Sequence, residues 1–268
     1  MEKIMTSGME IRTTSDQSAG TSFRPTWVLP EQPFSRVVSA RAILRNIERS
    51  YEAMDSELVG FPTLQDDLKR DLLYFISVAD GNEDAFGHSQ SVAAYALLLA
   101  RETGIQDPRW LADLERGALL HDIGKIAIPD SILRKPGALT PLEREIVQEH
   151  PLVGYEVIRG FDFLKDAAEV VLRHHERFDG RGYPYGLAGD DIPLGARIFS
   201  IADTIDAITS DRPYRKGRGF EDAFREVKRS SGTQFDPLLV EVMSLIPKER
   251  WFQARLSTLA RLSFPTIH

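Results

Sequence analysis

Residues 108–125 read PRWLADLERGALLHDIGK. The segment predicts a helix from Pro108 to Leu120 that delivers the adjacent pair His121–Asp122 near its end. His88 precedes the pair, His150 follows it, His174 and His175 lie further on, and Asp203 sits in IAD at 201–203. Five of the six histidines fall in this set, and only His268 lies outside it. A lone mid-helix histidine is more often a satisfied polar residue than a ligand, and His-Asp by itself is a short motif. Joined to His88, His150, His174, His175 and Asp203, the pair reads as a metal site and the protein as a metallohydrolase. The host fold is all-α, a bundle in which side chains from facing helices converge on one core site.

The chain of 268 residues suits one large domain, or one domain with a small helical addition. It has no cysteine, which excludes disulfides, iron–sulfur thiolates and Cys-ligated zinc and fits a cytoplasmic protein. Its start lacks the basic-then-apolar pattern of a signal peptide. The most apolar run, SVAAYALLLA at 91–100, is too short to span a bilayer. The net charge of −7 counts against long nucleic acid as a partner. It leaves room for a small phosphorylated ligand, because bound cations invert the local field.

Residues 1–30 are rich in Ser, Thr, Gly and Gln without periodicity and are expected to be a flexible segment. Apolar residues then return at helical spacing over 36–57, 64–78 and 84–102. The stretch 124–139, with Pro129, Pro136, Gly124 and Gly137, reads as a connection. Thr140-Pro-Leu-Glu143 is a capped helix start, and that helix is expected to run to about Ile158 through His150. Another runs from Leu164 to His175. Residues 178–193, FDGRGYPYGLAGDDIP, read as a structured loop. Helices follow over 193–209, 219–230, 236–246 and 251–262. No strand ladder, βαβ alternation or internal repeat is visible.

A sulfur-free set of imidazoles and carboxylates suits Mn, Fe, Ni, Zn or Mg. Neighbouring helical residues project roughly 100° apart. His121 and Asp122 therefore both reach metal if the ions lie between their directions, or if Asp122 bridges two ions. Ions about 3.5–4 Å apart activate a water and stabilise the phosphoryl oxygens around it. Asp84, four residues before His88 on the same helix face, is either a further ligand or a helix cap. Lys125 either favours a helix terminus or contacts phosphate. Asp206, three residues after Asp203, reads as a support orienting a ligand histidine. Glu176 and Asp179 read as structural partners beside the His174–His175 pair.

The motifs HDIGKIAIPDSILRKPG (121–137), HPLVG (150–154), HHERFDGRGYPYGL (174–187), Ile192-Pro193 with Ala196-Arg197-Ile198, and ADTIDAITSDRPYR (202–215) resemble the HD-GYP family. This is a branch of the HD superfamily of metal-dependent phosphohydrolases whose members hydrolyse bacterial cyclic dinucleotides, chiefly cyclic di-GMP. The resemblance is nearly continuous over 80–215, and residues 31–268 are expected to form the catalytic domain with its flanking helices. It implies His88, His121, Asp122, His150, His174, His175 and Asp203 as ligands of two divalent ions, with Fe, Mn and Ni the leading candidates. In the family an acidic residue at the position of Asp84 is associated with a third ion, and some members have the longer Glu there. The resemblance also implies that Lys125 contacts the scissile phosphate and that Tyr183, Arg212 and Arg215 hold the nucleotide. Some relatives have Lys where Arg215 stands, which changes the hydrogen-bonding geometry.

The expected reaction is hydrolysis of a 3′–5′ phosphodiester of cyclic di-GMP to pGpG, with GMP as a further product. Metals lower the pKa of water, and Lys125 lies beside the developing charge. Two alternatives stand beside it. One is hydrolysis of another cyclic dinucleotide, such as 3′,3′-cGMP-AMP, or of a nucleoside phosphate. The other is a catalytically weak signalling module that acts through protein contacts; the complete ligand set weighs against it. The family's GYP loop implies diguanylate cyclase (GGDEF) domains as partners. Too few residues precede position 80 for a receiver, PAS or GAF domain, so a stand-alone catalytic unit is expected. Residues 36–57 and 251–262 are candidate contacts for a partner or for a second copy in a homodimer.

Overall fold

A computed structural model describes residues 83–211 and 216–262, with Arg45 alone before them. The expected N-terminal segment, the expected helices over 36–57 and 64–78, and Arg212 and Arg215 lie outside the described residues. The described part is all-helical. Ten α-helices run in the order α1 (Glu83–Glu102), α2 (Pro108–Leu120), α3 (Asp130–Leu133), α4 (Pro141–Gln148), α5 (His150–Ile158), α6 (Lys165–Arg173), α7 (Leu194–Thr209), α8 (Phe220–Arg229), α9 (Pro237–Leu245) and α10 (Lys248–Leu262). Short 3-10 turns lie at Ile123–Ala127, Asp162–Leu164 and Gly189–Asp191. The only β-type pairings among the described residues are isolated bridges, Asp179 with Ala188 and Ser231 with Phe235.

Local sequence explains where the helices begin. Asp107 caps α2 by accepting from the Arg109 amide, and Pro108 occupies the first turn, where its missing N–H costs nothing. Thr140 and Glu143 form the reciprocal capping box expected at the start of α4. The expected single helix over 140–158 is two: α4 closes at Glu149 and α5 restarts with Pro151 in its first turn. A proline there cannot donate to the preceding turn, so the ladder breaks just before it. The connection over 124–139 also contains two short helical pieces, the 3-10 turn and α3, which are too brief to leave an amphipathic pattern.

α7 is the centre of the bundle. Ile198, Phe199, Ile201, Ala202 and Ile205 are fully or almost fully buried, so the helix is apolar around most of its circumference. It packs against α1, α6 and α8. α1 buries Val92, Tyr95, Ala96 and Leu99, the i, i+3, i+4, i+7 face, against α2, α7 and α10. α2 and α5 both pack on α6. Each fully buried aliphatic or aromatic side chain of this core contributes about 1.5–3 kcal/mol. The packing brings the ends of α2, α5 and α6 beside the first third of α1 and the second half of α7, where the chemistry-bearing residues lie.

Candidate metal centre

The histidines come from four different places in the bundle. α1 carries His88, α2 ends at His121, α5 begins at His150, α6 is followed by His174 and His175, and α7 carries Asp203 and Asp206. At His121, His150 and His174 the same local device recurs. Nδ1 faces the carbonyl oxygen three residues back, on Ala118 at 2.9 Å, Val147 at 2.7 Å and Val171 at 2.7 Å. A carbonyl only accepts, so Nδ1 carries the proton in each ring and Nε2 faces inward. His88 reaches the same state through a carboxylate: its Nδ1 lies 2.7 Å from Asp206 Oδ2 and its Nε2 3.3 Å from Asp203 Oδ1.

Two groups result, His150–His174–His175 and His88–His121–Asp203, each with ligand atoms within 4.8 Å of one another. Both are capable of chelating a metal ion. Asp122 lies between them, with Oδ2 3.1 Å from His121 Nε2 and Oδ1 3.4 Å from His150 Nε2. One carboxylate thus faces a histidine of each group, the geometry that a bridging ligand needs. Beneath them Phe199 packs against the rings of His121, at 4.9 Å between centroids, and His174, at 5.5 Å.

The electrostatics separate the histidines. Burial holds His150 down to about 4 and His175 down to about 3, and neighbouring imidazoles add to the effect at His175. Burial, with His175 and His150 nearby, also holds His174 well below the usual histidine range. Burial opposes the charge on His121, but the carboxylates of Asp122 and Asp203 act against it and the net effect raises this histidine. Asp122 shows the converse: burial disfavours its charge, yet His121 and Lys125 hold it well below the usual carboxylate range.

These facts test whether a cation fits. His150 Nε2 and His174 Nε2 face each other at 3.1 Å. With both Nδ1 atoms committed as donors, two lone pairs point at one another inside the protein. Either a proton or a cation relieves that contact, and burial disfavours the proton. The donor set of neutral imidazoles and carboxylates suits borderline divalent ions. A metal therefore fits both groups.

The residues around the centre fall as follows. Lys125 Nζ lies 2.5 Å from Asp122 Oδ2. Tyr183 stacks on His175, with ring centroids 4.7 Å apart and planes 25° apart, and its amide donates to the His175 carbonyl. Gly182 permits this, since a Cβ there would lie 2.5 Å from the His175 carbonyl oxygen and 2.4 Å from the Arg177 nitrogen. Burial, reinforced by Asp122 and Asp203, keeps the Tyr183 phenol protonated far above its ordinary range. Glu176 accepts from the amides of Tyr185 and Leu187, and Asp179 from the Arg177 guanidinium and the Arg181 amide. Both therefore hold the segment's backbone. The backbone of Asp84 lies in α1, but its side chain, like Arg212 and Arg215, is outside the described residues. Sequence reasoning missed Phe199, although it shares a face of α7 with Asp203 and Asp206 at i, i+4, i+7 spacing.

Comparison with known proteins points to a family. A family model described as HD domain matches residues 76–239. The chain is 35% identical over 210 residues to a cyclic di-GMP phosphodiesterase of Thermotoga maritima, covering 77% of this chain and 57% of that one. It is 38% identical over 169 residues to the 3′3′-cGAMP-specific phosphodiesterase 3 of Vibrio cholerae, covering 61% of this chain and 36% of that one. The chain thus spans less than two thirds of these relatives' length. Among solved structures, Bd1817, an HDG"Y"P protein from Bdellovibrio bacteriovorus, has a TM-score of 0.51 and 17% identity, covering 78% of this chain and 69% of its own. That likeness is one of fold. With a family model matched across most of the bundle and two His/Asp groups where its helices meet, the chain belongs to the HD-domain superfamily and is related to its HD-GYP members.

Proposed function

We propose that the chain is a metal-dependent phosphodiesterase that hydrolyses cyclic di-GMP to pGpG, and pGpG onward to GMP. The observation that carries this reading is Asp122, whose two oxygens face one histidine of each three-residue group. His88, His121, Asp122, His150, His174, His175 and Asp203 would hold two ions, Fe, Mn or Ni, with Asp84 available to a third. When bound, such ions lower the pKa of a water and neutralise charge on phosphoryl oxygens. The chain's own residues supply the rest. Lys125 neutralises Asp122 in the protein alone, and a phosphate offers it a second anionic partner at the same edge of the site. Tyr183, Arg212 and Arg215 would hold the nucleotide. Residues 178–193 would serve as the structured GYP loop, fixed by Glu176 and Asp179, and as a surface for a GGDEF domain.

Residues 31–268 act in this reading as one cytoplasmic catalytic unit able to pair with a second copy. No helix among the described residues is long and apolar enough to cross a membrane. A relative's specificity for 3′3′-cGAMP makes that dinucleotide the second substrate to try. The test is anaerobic purification with metal analysis, then a product assay on both dinucleotides in Mn²⁺ or Fe²⁺, with Asp122→Ala as control. Two or more ions per chain, and pGpG formation lost in the variant, support the reading. Turnover of 3′3′-cGAMP alone moves the substrate assignment. Little metal and no turnover of either would favour a module that acts through protein contacts.

A further inference from the structure

The buried carboxylate of Asp206 is the start of a chain of hydrogen bonds that leaves the metal centre. Asp206 is fully buried. Its Oδ2 takes the His88 Nδ1 proton at 2.7 Å, and its Oδ1 accepts from Ser210 Oγ at 2.9 Å. Because the Ser210 proton points to Asp206, the remaining lone pairs of that oxygen are acceptors. Arg255 Nη2 donates to Ser210 Oγ at 3.2 Å, and Arg255 Nη1 donates to the Thr209 carbonyl at 3.2 Å. Arg255 sits on α10, whose packing partner is α1, the helix that carries His88.

We infer that Arg255 is a positioning residue for the His88–His121–Asp203 metal group, acting through Ser210 and Asp206 on the His88 ring. The inference rests on the proposed metal-binding role of that group. A histidine ligand is aimed by whatever takes its other ring proton, and the acceptor is aimed by its own partners. Asp206 has one oxygen for His88, and what holds the other contributes to its orientation. Ser210 holds it, and Ser210 is in turn held by a guanidinium from the last described helix. The plainer role for Arg255 is to cap the C-terminal end of α7 through Thr209. The two roles separate at Ser210, whose loss breaks the route to Asp206 and leaves the Thr209 contact intact.

The experiment is Mn²⁺ binding to the full chain, by titration calorimetry and by the electron paramagnetic resonance of bound Mn²⁺, for wild type, Ser210→Ala, Arg255→Met, the double variant and Arg255→Lys. The expected result is a weakening of one of two ions in Ser210→Ala and Arg255→Met, by roughly 3- to 10-fold. That is less than the 10- to 100-fold typical of a residue touching the ligand itself. The second ion should be unchanged, the double variant no weaker than the worse single one, and Arg255→Lys partly restored. Ser210→Ala with wild-type affinity for both ions would overturn the inference, leaving Arg255 as a helix cap. Equal weakening of both ions in step with a lower melting temperature would overturn it too. A wild-type chain that takes up no Mn²⁺ would remove the metal reading itself.

Discussion

Tyr183 lies against His175, and in the proposed function it would also hold the nucleotide, which gives one side chain two separable ends. Tyr183→Phe keeps the stacked ring and removes the hydroxyl. It should retain both metals and raise KM by about 2- to 10-fold, the worth of one hydrogen bond. Tyr183→Leu should lose the stack as well and show reduced metal content. Metal analysis beside steady-state kinetics decides it, and equal metal content in the two variants would remove the stacking role. Tyr95 gives a second residue-level outcome. It is fully buried, and its hydroxyl lies beside Arg255 and Thr209. Burial pushes this phenol up to about 12. The unfolded chain loses the proton near pH 10 while the folded chain keeps it, so stability falls as pH rises from about 10 to 12. Tyr95→Phe should flatten that alkaline limb by roughly 1–3 kcal/mol in denaturant titrations and cost little at pH 7; an unchanged limb would contradict it. The histidines and Asp203 were legible in sequence because their types are scarce and their motifs long. Phe199, Ser210 and Arg255 were not. An apolar ring, a hydroxyl and a surface-type cation carry no chemical mark until the fold sets them beside His121, Asp206 and Thr209.

At the scale of elements, the turn after α2 is held against the start of α5 by a contact that only glycine allows. A Cβ on Gly124 would lie 1.9 Å from the His150 carbonyl oxygen and 2.6 Å from the Gly154 nitrogen. Both neighbours are backbone, so neither can rotate away. Gly124→Ala should therefore push the turn carrying Asp122 off the helix carrying His150. Overpacking of this kind costs about 1–3 kcal/mol or more, and the expected loss is at the upper end. Gly160 has nothing within 4 Å of its Cβ position, so Gly160→Ala is the matched control, expected within about 0.5 kcal/mol of wild type. Thermal melts with Mn²⁺ titration check both, and a Gly124→Ala chain with normal melting and two ions would count against the contact. Legibility differed by element for physical reasons. α2 was readable end to end, since Asp107 and Pro108 mark its start and the His-Asp pair its finish. The break between α4 and α5 was missed because the apolar pattern runs across it, while Pro151 acts on a single hydrogen bond. The 3-10 turn at Ile123–Ala127 depends on bonds three residues long, which leave no period to read.

The whole molecule is organised so that its candidate ligands cross-link elements distant in sequence. His88 on α1 meets Asp203 on α7, and His150 on α5 meets His174 after α6. An all-helical chain whose ligand residues converge was readable in sequence, yet the division into two groups was not, because helix crossing is set by the packing of Ile198, Phe199, Ile201 and Ile205 around α7. The arrangement has a thermodynamic consequence. In the protein alone, facing Nε2 lone pairs and the carboxylates of Asp122 and Asp203 sit together where the helices meet, opposed in part by Lys125. A divalent ion that binds the folded state and not the unfolded one stabilises it by RT ln(1 + [L]/Kd), about 2.7 kcal/mol at a hundredfold excess over Kd. For a domain of this size each kcal/mol moves the melting temperature by about 2–4 °C. Removing metal with a chelator should therefore lower the melting temperature by roughly 5–10 °C for each such ion, and Mn²⁺ should restore it. The recovered temperature should keep rising with the logarithm of free Mn²⁺ beyond stoichiometric loading. Asp122→Ala, which removes the carboxylate shared by both groups, should abolish most of that response. A melting temperature indifferent to chelator, in a preparation shown to contain metal, would mean that the ions are held at the surface and do not tie α1, α2, α5, α6 and α7 together.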